Sequence, residues 1–132
     1  MAISANSKCP CKSGQKYKKC CEIYHKGVKP PDALRLMRSR FSAYACGNAA
    51  YIVKTTHSNN PDYNNDKKSW TTEIDSFCKN NKFLMLDILE FIDGESEAFV
   101  TFKAYLLDGF LVEKSRFLKV DGSWMYESGE FV

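Results

Sequence analysis

The spacing of hydrophobic residues along the chain follows a helical period in its first half. Between Ala33 and Cys46, apolar residues recur every three or four positions, at Leu34, Met37, Phe41 and Tyr44. This period predicts an amphipathic helix that Asp32 caps and Gly47 ends. Of the three arginines in this helix, we expect Arg38 to be the most buried, because it lies nearest to the centre of the apolar stripe.

Two further helices are predicted, over residues 49–57 and 69–79, before the pattern becomes extended. Four strands then follow, over residues 83–92, 98–107, 110–120 and 123–127. Asp-Gly dipeptides separate them, as in tight antiparallel hairpins. The order of helices followed by strands predicts an α+β domain, in which three helices cover one face of a curved four-stranded antiparallel sheet. Such a domain is cone-like and contains a pocket.

The N-terminal segment contains two close cysteine pairs, separated by a short loop that is rich in lysine and contains Gly14. The pairs are Cys9 with Cys11, and Cys20 with Cys21. Four thiolates suit Zn²⁺ and complete a tetrahedral site that leaves no position for a substrate. We therefore expect all four cysteines to bind one zinc ion. The alternative is two disulfides, which require strained rings or an oxidising compartment.

The same segment resembles the SEC-C motif, a small zinc module of the SecA translocation ATPase and of many other bacterial proteins. The resemblance rests on CPC at residues 9–11, SG at 13–14 and KYKKCC at 16–21. In SecA the last ligand is a histidine, whereas this sequence has Cys21. His25 is close enough to be an alternative fourth ligand, although Cys21 occupies the motif position. The resemblance implies contact with a partner, as in SecA, whose module contacts a chaperone and membrane or ribosomal surfaces.

Basic residues are concentrated in this finger. Residues 1–29 contain seven lysines against Glu22 alone, whereas residues 30–132 contain twelve Lys/Arg against fifteen Asp/Glu. A basic surface attracts nucleic acid or acidic protein, so a protein or ribosome/RNA partner is one interpretation. The alternative is that the lysines offset the negative charge of zinc with four thiolates. The zinc itself could serve only to hold this polar finger together.

The composition fits one packed domain with a small appendage, which we divide into a zinc module at residues 1–29 and a domain at residues 30–132. The hydrophobic content is 44%. No apolar run reaches the length of about eighteen residues that a membrane span requires, and the N-terminus lacks the features of a signal peptide. We therefore expect a cytoplasmic protein, with Cys46 and Cys78 as buried apolar side chains rather than a bridge.

A second resemblance extends over nearly the whole chain. LMRSRFSAY at residues 36–44, EKSRF at 113–117 and GSWMY at 122–126 are similar to the YchJ family of uncharacterised bacterial proteins. The family implies a SEC-C module joined to a domain similar to the nuclear transport factor two cone. Such cones often self-associate through the open face of the sheet, so a homodimer is also implied. Family members usually have a histidine at the position that Val112 occupies here, so a function of that histidine is not implied for this chain.

Seven residues are candidates for the pocket of the cone: Arg38, Tyr44, Tyr51, His57, Trp70, Glu113 and Arg116. Tyr105 is a further aromatic candidate. Aromatic residues at these spacings also fit a core, and His57, before a polar loop, also fits a solvated or capping histidine. Glu113 and Arg116 are three apart on one strand, so we expect them on opposite faces with one facing the pocket.

These features predict a zinc-binding cytosolic protein that acts as a non-catalytic binding or adaptor module. Its zinc finger would contact a protein or ribosomal partner. The alternative is a small-molecule enzyme that uses the pocket, since the resemblance includes cones that act as isomerases and dehydratases. The sequence contains no phosphate-binding loop and no nucleophile elbow.

Overall fold

In a computed structural model that describes residues 3–132, the chain forms a cysteine-rich finger and an α+β domain. The finger contains a 3₁₀ turn at Tyr17–Lys19 and helix α1 at Cys21–His25. The domain contains α2 (Ala33–Cys46), α3 (Ala49–Lys54), α4 (Lys67–Asn80), β1 (Phe83–Ile92), β2 (Glu97–Leu106), β3 (Gly109–Val120) and β4 (Ser123–Phe131). The predicted fold class is therefore confirmed.

Helix α2 has the predicted ends. The backbone N–H of Arg35 donates to Asp32 Oδ1 at 2.8 Å, which satisfies one of the free donors of the first turn. Gly47 follows the helix with φ 75°, a left-handed conformation that costs glycine little.

Helices α3 and α4 differ from the prediction at their ends. Helix α3 stops at Lys54, because the next residues pair with β4: Tyr126 N–H donates to Thr55 O at 2.9 Å, and His57 N–H donates to Tyr126 O at 2.8 Å. Helix α4 begins two residues earlier than predicted, after its cap Asp66.

The four strands form an antiparallel meander in the order β1-β2-β3-β4. The last hairpin turns at Asp121 and Gly122, both with positive φ, as a type I′ turn requires. Strand β4 extends to Phe131, beyond the predicted end at Glu127. A bulge explains the difference, because Arg116 pairs with Ser128 but Phe117 pairs with Tyr126, so Glu127 interrupts the alternation.

The core lies between α2 and the concave face of the sheet. Its largest fully buried side chains include Leu36 on α2, Val100 on β2 and Phe117 on β3. Helices α3 and α4 pack against each other and against α2.

Cys78 is buried as predicted, but Cys46 is only half-buried. No helix within residues 3–132 has the length and apolar character to cross a membrane.

The predicted order of arginine burial in α2 is wrong. Arg40 is 7% exposed, whereas Arg38 is only half-buried. The prediction ranked the arginines only by their distance from the centre of the apolar stripe. Arg40 is buried because the end of α3 packs against it and supplies its acceptors.

Candidate functional site

The four finger cysteines converge on one point. Their Sγ atoms all lie within 4.8 Å of one another. Cys11 Sγ is 3.6 Å from Cys20 Sγ, which is 3.9 Å from Cys21 Sγ. A regular tetrahedron with Zn–S bonds of about 2.3 Å has sulfurs about 3.8 Å apart. The donor set and its size therefore fit one tetrahedral metal ion, and all six cysteines of the chain are free thiols.

The loop between the two pairs aims the thiols inward. Cys9 N–H donates to Gln15 O at 2.8 Å, and Lys12 N–H donates to Cys9 O at 3.1 Å. The tight turn requires left-handed backbone at Lys12 and Gly14, with φ of 64° and 88°. Cys20 N–H donates to Tyr17 O at 3.0 Å, which positions the second pair at the start of α1.

The thiols influence one another's ionisation. Hydrogen bonds from Cys21 and Cys9 hold the pKa of Cys11 far below its ordinary value of 9.0. The hydrogen bond between Cys21 and Cys11 also raises the pKa of Cys21 strongly. The pKa of Cys20 is raised to about 11, first by burial. One thiolate thus forms readily, while a metal ion would have to displace protons from Cys20 and Cys21.

Helix α2 supports the cysteine cluster from the domain side. Ser42, which is fully buried, has its Oγ 3.3 Å from Cys9 Sγ. Arg38 Nη1 donates to the backbone carbonyl of Cys11 at 2.7 Å. Ser13, within the finger loop, has its Oγ 3.2 Å from Cys20 Sγ. Hydrogen bonds of this kind orient metal ligands and stabilise thiolate charge.

His25 lies outside the cluster, and both of its ring nitrogens are engaged elsewhere. Nε2 is 2.8 Å from the carbonyl oxygen of Ser39 and must therefore donate to it. Nδ1 then accepts from the Tyr17 hydroxyl at 2.6 Å. The ring also packs against Tyr51, with centroids 4.7 Å apart. In this arrangement His25 joins the finger to α2 rather than binding the metal.

The pocket of the cone contains two of the seven predicted residues. A cavity of about 260 Å³ lies between α2 and the sheet, and Tyr44 and Glu113 line it. Arg38 and Tyr51 lie instead at the contact between finger and domain, where Arg38 donates to the Cys11 carbonyl and the Tyr51 ring packs against His25. Their assignment to the pocket is therefore corrected.

The other candidates lie elsewhere. Trp70 lines a neighbouring cavity of about 540 Å³, which shares with the first the residues Arg40, Tyr44, Phe77 and Tyr126. His57 lines a separate cavity, and its Nδ1 accepts from Asn59 N–H at 3.0 Å. Arg116 lies on the outer face of the sheet, where its Nε donates to Glu97 at 2.6 Å. On the same face, the Tyr105 hydroxyl donates to Asp87 at 3.0 Å.

Three residues with roles in these sites were missed from the sequence: Arg40 and Tyr126 in the cavity, and Ser42 beside Cys9. Arg40 and Ser42 lie in the RSRFSAY segment, which places two arginines and two serines within two turns of an apolar helix. That density of polar residues was the available signal. Tyr126 lies two residues after the buried Trp124, so the alternation along β4 was the signal that places it on the inner face.

The arrangement of finger and domain matches known families and structures. A model of "YchJ, middle NTF2-like domain" matches residues 32–129, and a model of the SEC-C motif matches residues 6–23. A UPF0225 protein of Streptomyces coelicolor is 37% identical over 94% of this chain and 95% of its own length. The UPF0225 protein YchJ of Shigella dysenteriae is 34% identical over 92% of this chain and 81% of its own length.

Two solved structures have the same architecture. The solution structure of a SEC-C motif containing protein from Rhodopseudomonas palustris has a TM-score of 0.78 and 30% identity, over 94% of this chain and 98% of its own. The crystal structure of another from Psychrobacter arcticus has a TM-score of 0.76 and 26% identity, over 94% of this chain and 82% of its own. From its sequence and fold, this chain belongs to the YchJ family of UPF0225 proteins.

Proposed function

We propose that this chain is a cytosolic zinc-binding adaptor, whose finger contacts an anionic surface of a ribosomal or protein partner. The convergence of four thiols within 4.8 Å supports the metal site and carries the proposal. Zinc is the ion that best fits four sulfur ligands with tetrahedral spacing and no open position. A closed site of this kind is structural, which agrees with a binding rather than a catalytic role.

The surface of the finger supports the anionic partner. Lys8, Lys12, Lys16, Lys18 and Lys19 are all exposed. Within residues 3–132, the only lysine with a carboxylate within 4.0 Å is Lys26, which pairs with Glu22. Lysines without carboxylate partners can bind phosphates or an acidic protein surface, and the charge on zinc with four thiolates would not neutralise all of them.

The zinc assignment is tested by metal analysis of the purified protein. The wild type should contain about one zinc per chain. A Cys20→Ser/Cys21→Ser variant should lose it, while Cys46→Ser, which changes a cysteine outside the cluster, should retain it. Full zinc in the double variant, or a different stoichiometric metal in the wild type, would contradict the assignment.

The partner is tested by capture from bacterial lysate with full-length protein. Lys12→Glu, Lys16→Glu and Lys18→Glu together should remove the captured partner, whereas reversal of Lys68 and Lys79 on α4 should not. Loss of the partner after nuclease treatment would assign RNA, and its persistence would assign protein. For RNA, each lost phosphate contact should reduce the slope of log affinity against log salt by about one. If the charge-reversal variant of the finger captures as much of the partner as the wild type does, the proposal is refuted.

The remaining hypotheses have less support. An isomerase-like or dehydratase-like enzyme would pair a histidine with a carboxylate in the pocket, but His57, the histidine of residues 30–132, lines a cavity separate from the one that contains Glu113. A homodimer through the open face of the sheet stays a prediction.

A further inference from the structure

The cavity between α2 and the sheet has an apolar wall and a small number of polar groups. Aromatic and aliphatic side chains form most of its lining, including Phe41, Phe77, Phe83, Phe102, Leu111 and Phe131. Its volume of about 260 Å³ is close to the lower end of ligand pockets, which is about 300 Å³. A ligand for this space would be small and largely apolar.

Arg40 supplies a buried positive charge to this cavity. It is 7% exposed, and within residues 3–132 no carboxylate oxygen lies within 4.0 Å of its guanidinium. Buried charges are usually paired, because removing an isolated ion from water is costly. The positive charge of Arg40 is therefore an unusual feature of this site.

The guanidinium is held in one orientation by one of its nitrogens. Nη1 donates to Thr55 Oγ1 at 2.8 Å, to Thr56 Oγ1 at 3.1 Å and to Ile52 O at 3.2 Å. The group also lies over the Tyr126 ring, 4.6 Å from its centroid. Among the described residues, Nε and Nη2 of Arg40 have no hydrogen-bond acceptor. The N–H groups of these two nitrogens, on a planar group that is already held in place, are therefore free to bind a ligand.

Glu113 provides a second polar point in the same cavity. The hydroxyls of Ser115 and Tyr126 both donate to its Oε2, and Oε1 has no donor among the described residues. Gly129 lies against this group, since a Cβ at Gly129 would overlap the carboxylate of Glu113. The cavity therefore contains unused donors on Arg40 and an unused acceptor on Glu113.

We propose that this cavity binds a small monocarboxylic acid with an apolar body, whose carboxylate pairs with Arg40. The aromatic wall would take the apolar body, and a hydroxyl on the ligand could donate to Glu113. A second carboxylate would meet the negative charge of Glu113, so dicarboxylates should be rejected. Arginine suits this role because its planar fork binds a carboxylate through two hydrogen bonds.

The test uses full-length, metal-loaded protein and four probes: phenylacetate, 4-hydroxyphenylacetate, phenylacetamide and the dicarboxylate suberate. Binding is followed by NMR shift changes and calorimetry. We expect phenylacetate to bind with a Kd of about 1 mM or tighter, and 4-hydroxyphenylacetate to bind more tightly. Phenylacetamide and suberate should bind about tenfold more weakly than phenylacetate, because they lack the carboxylate or carry a second one.

Variants assign the effect to the cavity. Arg40→Lys keeps the charge but loses the fork, so affinity for phenylacetate should fall about tenfold. Arg116→Ala removes an arginine from the outer face of the sheet and should leave affinity unchanged. Glu113→Gln should raise affinity for suberate. If Arg40→Lys fails to fold, comparing the affinities of the wild-type protein for phenylacetate and phenylacetamide still tests whether the cavity recognises a carboxylate. Equal affinity for those two probes, or binding of none of them, would overturn the proposal.

Discussion

Replacing His25 with alanine separates two roles that the sequence left open for this residue. The structure has His25 between the Tyr17 hydroxyl and the Ser39 carbonyl, at 2.6 and 2.8 Å. If His25 only joins the finger to α2, the His25→Ala variant should keep its bound metal but lose stability. If His25 is a ligand, the variant should lose the metal.

The expected loss of stability follows from these contacts. Two hydrogen bonds contribute about 1 kcal/mol each, and losing the packing of the His25 ring against Tyr51 costs about 1 kcal/mol more. The free energy of unfolding should therefore fall by about 3 kcal/mol. For a chain of this length, the melting temperature should fall by about 10 °C.

Chemical denaturation with metal present measures the free energy of unfolding, and metal analysis of the same samples measures the stoichiometry. His57→Ala is the matched control, because His57 lines a cavity away from the finger and its ring hydrogen bond is to the adjacent loop. We expect this control to lose less than about 1 kcal/mol. A folded His25→Ala protein with less metal than wild type would refute the role argued here, as would a stability loss no larger than that of the control.

Three further predictions concern the same structural features. Burial lowers the pKa of His25 below its ordinary value of 6.5, so as pH falls the unfolded state takes up a proton on this residue before the folded state does. The free energy of unfolding should therefore fall as pH drops below about 6.5, and His25→Gln should remove this dependence in denaturation experiments. Ser42→Ala should weaken metal retention about tenfold in competition with a chelator, because Cys9 loses its buried neighbour. Gly129→Ala should cost about 1 to 2 kcal/mol in denaturation experiments, because its Cβ would displace the Glu113 carboxylate from its hydroxyl donors.

Much of the fold follows from local signals in the sequence. The helical period of residues 33–46, with Asp32 before it and Gly47 after it, correctly gives α2. The Asp-Gly pairs correctly mark the boundaries between strands, but only Asp121 and Gly122 form the predicted tight turn; the first connection is the four residues 93–96 and the second turn is residues 107–108. The four cysteines of the SEC-C motif also lie together as the spacing indicates. These signals act over a few residues and do not depend on distant parts of the chain.

The features that were missed depend on contacts between distant segments. Arg40 is buried because residues 55 and 56 supply acceptors, and these residues are fixed by pairing with β4 at Tyr126. The bulge at Glu127 then allows Tyr126 and Phe131 to line the same cavity. A periodic pattern cannot reveal either feature. The burial of Arg40 depends on which element packs against α2, and the bulge at Glu127 interrupts the period on which the prediction of a strand relies.

Helix α2 connects the two parts of the molecule, which changes how finger variants should be interpreted. Arg38 and Ser42 contact the finger, whereas Arg40 and Tyr44 line the cavity less than one turn away. Ser42 is fully buried beneath the finger, so deleting residues 1–29 would expose it and remove the acceptor of Arg38. A deletion would therefore perturb the helix that forms the cavity wall as well as the basic surface. Charge reversal of exposed lysines changes only the surface, so it is the experiment that isolates partner binding.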